Sequence, residues 1–164
     1  MARILLVEDD VAMARLMRGI LSEDGHETSV SSDGLEALER LKTQPVELLL
    51  LDVGVPGADG FEVCRRMRGR ERGEWRTTIV MITGRNDTAS KLLAFSMGAD
   101  DYLTKPLDVR ELRSRVMRWI DSRSEHAELV VRRRRDAIRE IVSTICHEIN
   151  NPLSAAVMGV DLVL

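Results

Sequence analysis

Apolar and polar positions alternate along this chain in blocks. Short apolar runs are separated by longer segments whose apolar residues recur every three or four positions. The most apolar run is Val46-Glu-Leu-Leu-Leu-Leu-Asp52, which stops on a single carboxylate. So short and continuous a run predicts a strand buried on both faces, as in the centre of a parallel sheet. Gly54, Pro56, Gly57 and Gly60 then turn the chain away. Three further runs have the same shape. Arg3–Val7 ends at Glu8-Asp9-Asp10, Thr78–Ile82 at Thr83-Gly84, and Asp101–Thr104 at Lys105-Pro106. His26–Ser31 is a more polar run and predicts a strand at the sheet edge.

The intervening segments have helical spacing. Val11–Glu23 carries Met13, Leu16, Met17, Ile20 and Leu21, and Gly25 ends it. Asp33-Gly-Leu-Glu36, Asp59-Gly-Phe-Glu62 and Asp108-Val-Arg-Glu111 each place an acid three residues before a glutamate. That is the spacing of a capping box, with Asp in place of Ser or Thr. Met67–Arg76, with Trp75, has the charge of a surface loop. Asp87–Met97 predicts a helix bearing Leu92, Leu93 and Phe95. Strands and helices that alternate through short connections predict an α/β fold with a doubly wound parallel sheet.

Parallel strands bring their carboxyl ends to one edge, where such sheets bind ligands. Glu8, Asp9, Asp52, Thr83 and Lys105 would meet there. An isolated Asp52 could be an ordinary turn residue; the convergence argues otherwise. Three carboxylates in one pocket repel each other unless a divalent cation is bound, and hard oxygen donors suit Mg2+. A carboxylate such as Asp52 can attack phosphorus to give an aspartyl phosphate. Mg2+, the Lys105 ammonium and the Thr83 hydroxyl would stabilise the phosphoryl oxygens.

With these pieces in this order, residues 1–121 resemble the receiver domain of two-component response regulators. The motifs that carry the resemblance are Glu8-Asp9, the Asp52 loop ending Pro56-Gly-Ala-Asp-Gly60, Thr83, and Tyr102-Leu-Thr-Lys105-Pro106. The resemblance implies a flavodoxin-like, five-stranded sheet of order 2-1-3-4-5. It implies Asp52 as the phosphoacceptor, with Mg2+ bound by Asp9, Asp52 and the Gly54 carbonyl and, through water, by Glu8. It also implies Thr83 and Tyr102 as a switch pair, a cis Lys105–Pro106 bond, and an output face built from the last strand and its two flanking helices.

Composition narrows the setting. The chain has 164 residues, 44% of them apolar and 31% charged, enough for one packed domain and a smaller element. A formal net charge of -3 gives no global signal for nucleic acid. No apolar run is long enough to span a membrane, and the first residues lack a signal-peptide pattern. Cys64 and Cys146 lie far apart and suit free thiols in a cytoplasmic protein, Cys64 through core packing.

From Leu107 to Asn151 there is neither Gly nor Pro, so one helix of about 65 Å could form. Leu112, Val116, Trp119 and Ile120 would pack as the last helix of the first domain. The basic run Arg132–Arg135 fits the solvated face of a long helix or coiled coil. Ile138, Val142, Ile145, Ile149, Leu153, Ala156 and Val160 form a helix-packing stripe. His147 lies two residues from both Ile145 and Ile149, about 200° around the helix from each, and so faces away from the stripe. A zinc-protease helix would need a second histidine four residues later; Asn151 stands there. Pro152 predicts a bend one turn after His147.

Cys146-His-Glu-Ile-Asn-Asn-Pro-Leu153 resembles the phosphoacceptor box of sensor histidine kinases. The resemblance implies His147 as the phosphorylated histidine and Glu148 as its general base. It implies that Asn151 positions water in the phosphatase reaction. Residues 122–164 would then be a helical linker and the first helix of a dimerisation and phosphotransfer domain. The chain would be a piece of a hybrid kinase, a homodimer through its long helix, unable to autophosphorylate alone, with a cognate histidine kinase or phosphotransfer protein as partner. A second reading keeps the receiver and has the helix only pair chains or bind a partner. A third, a phosphohydrolase, lacks the second acid beside its nucleophile, since Val53-Gly54 follows Asp52.

Overall fold

The computed structural model describes residues 1–70, 76–84 and 88–122, with 132, 133, 135, 136, 138 and 139. The chain forms two compact units, Met1–Ser122 and Arg123–Leu164.

The first unit alternates strands and helices: β1 (Arg3–Val7), α1 (Val11–Glu23), β2 (Glu27–Ser31), α2 (Gly34–Thr43), β3 (Leu48–Asp52), α3 (Gly60–Arg70), β4 (Thr78–Thr83), α4 (Thr88–Ser96) and β5 (Asp101–Thr104). A fifth helix, α5, covers 109–122. The five strands are parallel and ordered β2-β1-β3-β4-β5. This is the flavodoxin-like doubly wound sheet expected from the sequence, with the polar β2 at one edge.

Strand alternation explains the leucine run. Successive side chains leave opposite faces of a strand, so a strand covered on both sides needs apolar residues at every position. Leu48 and Leu50 enter one core with Met17, Ile20 and Leu21 of α1 and Leu112, Val116 and Trp119 of α5. Leu49 and Leu51 enter the other with Ala37 and Leu38 of α2 and Val63, Cys64 and Met67 of α3. Cys64 is the buried packing residue expected, and its thiol donates to Met97 O at 3.3 Å. Leu16, expected on the buried stripe of α1, is exposed, and Ala14 is buried instead.

Two boundaries differ from expectation. β3 begins at Leu48, the first residue to pair with both Ile4 and Thr78. The segment from Met67 does not start as a loop, because α3 continues to Arg70. Met67 completes the buried stripe of Val63 and Cys64. Arg68, one residue on, clamps the far end of the sheet: Nε donates to Gly98 O at 2.7 Å and Nη1 to Thr77 O at 2.9 Å. Its Nη2 bonds Asp100, whose Oδ2 also accepts from Ile79 N at 2.8 Å.

The three aspartates expected at helix starts all act as caps. Asp33 Oδ1 accepts from Leu35 N and Glu36 N, Asp59 Oδ1 from Glu62 N, and Asp108 Oδ1 from Arg110 N and Glu111 N. The paired glutamates turn elsewhere. Glu36 takes Ser31 and Arg40, Glu62 takes Arg65 and Arg66, and Glu111 takes Arg115. Glu36 also keeps a backbone hydrogen bond, to Ser32, while for Glu62 and Glu111 arginines one turn away are the partners. α5 is also tied to β5, because Asp101 accepts from Arg115 Nη1 at 3.2 Å and from Trp119 Nε1 at 3.0 Å.

Of the second unit, Arg132, Arg133, Arg135, Asp136, Ile138 and Arg139 are described, all helical and exposed. The rest of the expected long helix, its expected stripe from Val142, the bend expected at Pro152, Cys146 and Trp75 lie outside the described residues. No helix among the described residues is long and apolar enough to cross a membrane.

Leu50 is fully buried in the core to which α1 and α5 contribute. Leu50→Ala should lower the unfolding free energy by about 3 kcal/mol, read as a lower urea midpoint at unchanged m-value.

Candidate functional site

Sheet register assembles the site. Val7 pairs with Leu51 and Asp52 with Ile82, so Glu8 follows β1 at the level of Asp52. Thr83 pairs with Thr104, and Lys105 N donates to Thr83 O at 2.8 Å. The five residues expected to converge are therefore delivered to one edge by backbone pairing.

The carboxylate oxygens of Glu8, Asp9 and Asp52 lie within 4.8 Å of one another. Lys105 Nζ stands between two of them, 2.8 Å from Asp52 Oδ2 and 2.8 Å from Glu8 Oε2. Glu8 is 1% exposed and Asp52 8%, while Asp9 faces solvent. Burial, reinforced by the charge of Asp52, raises the Glu8 pKa above its ordinary value, against the pull of Lys105. Burial works against the Lys105 ammonium too, but hydrogen bonds to Asp52 and Glu8 outweigh it and raise its pKa. Lys105 is thus a fixed cation.

The loop after Asp52 closes tightly over the strand end. Gly54 N–H points at Asp52 Oδ1 at 3.4 Å, Val53 N donates to Ile82 O at 3.0 Å, and Gly60 N donates to Val53 O at 3.1 Å. A Cβ on Gly60 would lie 2.5 Å from the Asp52 carbonyl oxygen, so only glycine fits there. The Lys105–Pro106 peptide is cis.

Three carboxylates against one ammonium leave a surplus of negative charge on hard oxygens. Asp9 is open to solvent, so waters can complete an octahedral shell. The donor set fits Mg2+.

Thr83 is buried at the end of β4. Tyr102 is partly exposed, its ring edge-on to Phe95 at 5.8 Å between centroids, with Lys91 Nζ 4.6 Å from its centre. Leu92 and Leu93 are exposed on the same helix as Phe95. His147, Glu148 and Asn151 lie outside the described residues.

One contributor near the site went unassigned in the sequence. Asp10 caps α1, accepting from Ala12 N at 2.8 Å and Met13 N at 3.0 Å. Those hydrogen bonds lower its pKa. Its signal was an acid directly before an apolar helical segment.

The fold and this acidic, lysine-bridged edge define a class. The response regulator receiver domain matches residues 4–117, and the chain belongs to that family, whose place is two-component phosphorelay signalling. Receiver domains bind Mg2+ through an acidic pocket, which Glu8, Asp9 and Asp52 form here. The chain is 37% identical over 143 residues to the transcriptional regulatory protein AruR of Pseudomonas aeruginosa, covering 84% of this chain and 57% of that protein. It is 38% identical over 116 residues to the transcriptional regulatory protein AfsQ1 of Streptomyces coelicolor, covering 71% of this chain and 50% of that one. The chain thus spans about half the length of these relatives. Among solved structures, the receiver domain of the Francisella response regulator 1452 superposes with a TM-score of 0.69 at 28% identity, covering 74% of this chain and 98% of that one.

The raised pKa of Glu8 has a stability consequence. A carboxyl held above its ordinary value favours the fold when protonated, and that contribution is lost as pH rises through the folded-state pKa. Glu8→Gln should therefore raise the urea midpoint at neutral pH in metal-free buffer. The gain should shrink as pH falls toward 4.5, the ordinary value.

Proposed function

We propose that this chain receives a phosphoryl group on Asp52 and uses it to control an attached histidine kinase module. The observation that carries the first half is the Lys105 ammonium held 2.8 Å from both Asp52 and Glu8. Asp52 attacks the phosphorus of a phosphohistidine, the P–N bond breaks, and the electron pair returns to the imidazole. Asp9, Asp52 and the Gly54 carbonyl would hold Mg2+, with Glu8 helping through water. The ion, when bound, offsets charge on the phosphoryl oxygens. The Lys105 ammonium and the Thr83 hydroxyl meet the same oxygens. Thr83 and Tyr102 rearrange in response and alter the face around Phe95.

The second half rests on the box Cys146–Leu153. His147 is its phosphoacceptor, Glu148 its general base, and Asn151 orients water for dephosphorylation. Residues 122–164 pair two chains into a homodimer, and a cognate histidine kinase or phosphotransfer protein is the partner.

One observation favours a second reading. AruR and AfsQ1 are transcriptional regulatory proteins, so a receiver like this one can serve an output other than a kinase. Residues 122–164 would then only pair chains or bind a partner.

Treated with Mg2+ and acetyl phosphate, the wild-type chain should gain the mass of one phosphoryl group on the Asp52 peptide. Asp52→Asn, or wild type in excess chelator, should gain nothing; an unmodified wild type would remove the proposal. Light scattering tests the pairing. The full chain should be a dimer, and a monomeric mass with and without beryllofluoride and Mg2+ would rule out pairing through the helix.

A further inference from the structure

We infer that the first turn of α2 positions the phosphorylation loop, making Asp33 and Gly34 positioning residues for the Mg2+ and phosphoryl site; this rests on the function proposed for Asp52. Neither residue touches that site. They act through the loop between Asp52 and α3, whose Gly54 carbonyl is the proposed metal ligand.

The loop meets α2 at three successive residues. Gly34 N–H donates to Pro56 O at 2.9 Å. Gly57, with φ +78°, lies against the Asp33 carboxylate so closely that a Cβ there would stand 2.5 Å from Oδ2. Ala58, buried in the core, has its carbonyl oxygen only 1.9 Å from where a Cβ on Gly34 would lie. No side chain of any size fits at that point, and the obstruction is backbone, which cannot rotate away. The Asp33 carboxylate has a second duty. Its Oδ1 accepts from Leu35 N at 2.7 Å and Glu36 N at 3.1 Å, which fixes the side chain that Gly57 rests on.

The geometry leaves the loop little freedom. Its ends are pinned by Val53 N to Ile82 O and by Gly60 N to Val53 O. Its middle is pinned by α2. Gly54 sits two residues before Pro56, so displacing Pro56 or Ala58 displaces the metal ligand. Supporting groups of this kind typically change metal affinity by 10–100-fold when removed.

The test is Mg2+ titration of the full chain by calorimetry, with unfolding midpoints measured alongside. Gly34→Ala pushes a methyl into the Ala58 carbonyl. Asp33→Ser keeps the helix cap, because Ser caps as well as Asp, but withdraws the surface under Gly57. Both should weaken Mg2+ binding roughly tenfold, and Asp33→Ser should do so with an unfolding midpoint near that of wild type. Gly19→Ala is the control, since its added methyl meets nothing within 4 Å; it should bind Mg2+ as wild type does. Affinity of the folded form does not respond to a general loss of stability, so a merely structural role would move the midpoint and leave the dissociation constant alone. Wild-type affinity in Asp33→Ser, or in a folded Gly34→Ala, overturns the inference. If Gly34→Ala does not fold, Asp33→Ser decides alone. If wild type itself takes no Mg2+, the reading of the acidic pocket fails and this inference with it.

Discussion

Lys105 holds together a site that would otherwise repel itself. The parallel register sets Glu8 beside Asp52, and burial removes the water that would screen them. Two carboxylates in that position destabilise the fold unless a cation lies between them. The Lys105 ammonium does so at equal distance from both. It can be held there because Lys105 N is itself bonded to Thr83 O, at the end of β4, the strand that pairs with β3. Compensation is incomplete. The raised pKa of Glu8 shows that burial still outweighs its partner, and Asp9 adds a further negative charge at the solvent side. The remaining charge deficit makes the edge receptive to a divalent cation.

Everything else in the first unit keeps that edge in place. The leucines of β3 seat it between two helical layers, two side chains to each. Such a strand cannot slip by one residue without exchanging the cores it fills. At the opposite end, Arg68 joins α3, the start of β4 and the turn before β5. The Arg68 clamp and the acidic site thus lie at opposite ends of the sheet. Asp101 connects the strand that carries Tyr102 to Trp119, in the last turn of α5, directly before the second unit begins at Arg123.

Much of this was legible in the chain itself. Strand runs ending on polar or charged residues placed Glu8, Asp52, Thr83 and Lys105 at one edge, because in a parallel sheet all carboxyl ends face one way. The unbroken leucines told that β3 is central, since a strand with a wet face must alternate. The aspartates before helical segments marked caps, because an acid there accepts orphan backbone N–H groups. These are local or periodic signals. Each needs only the residue and its near neighbours.

Other features depend on partners distant in the chain. That Leu16 stays in solvent while Ala14 is buried depends on where β1 and α5 pass α1. That α3 continues to Arg70 depends on Met67 and Arg68 reaching core and carbonyls that no nearby residue announces. The glutamates of the three capping boxes bond arginines, and Glu36 also Ser31, which is settled by which side chains the turns bring close. The contact of Gly34 with Ala58 has no trace in either segment alone. The amino-acid sequence determined the strands, their order of charge and the kinds of groups that meet at Asp52. Only the tertiary structure decided that Lys105 bridges Glu8 and Asp52, and that α2 carries the loop beside them, because both are contacts between residues far apart in sequence.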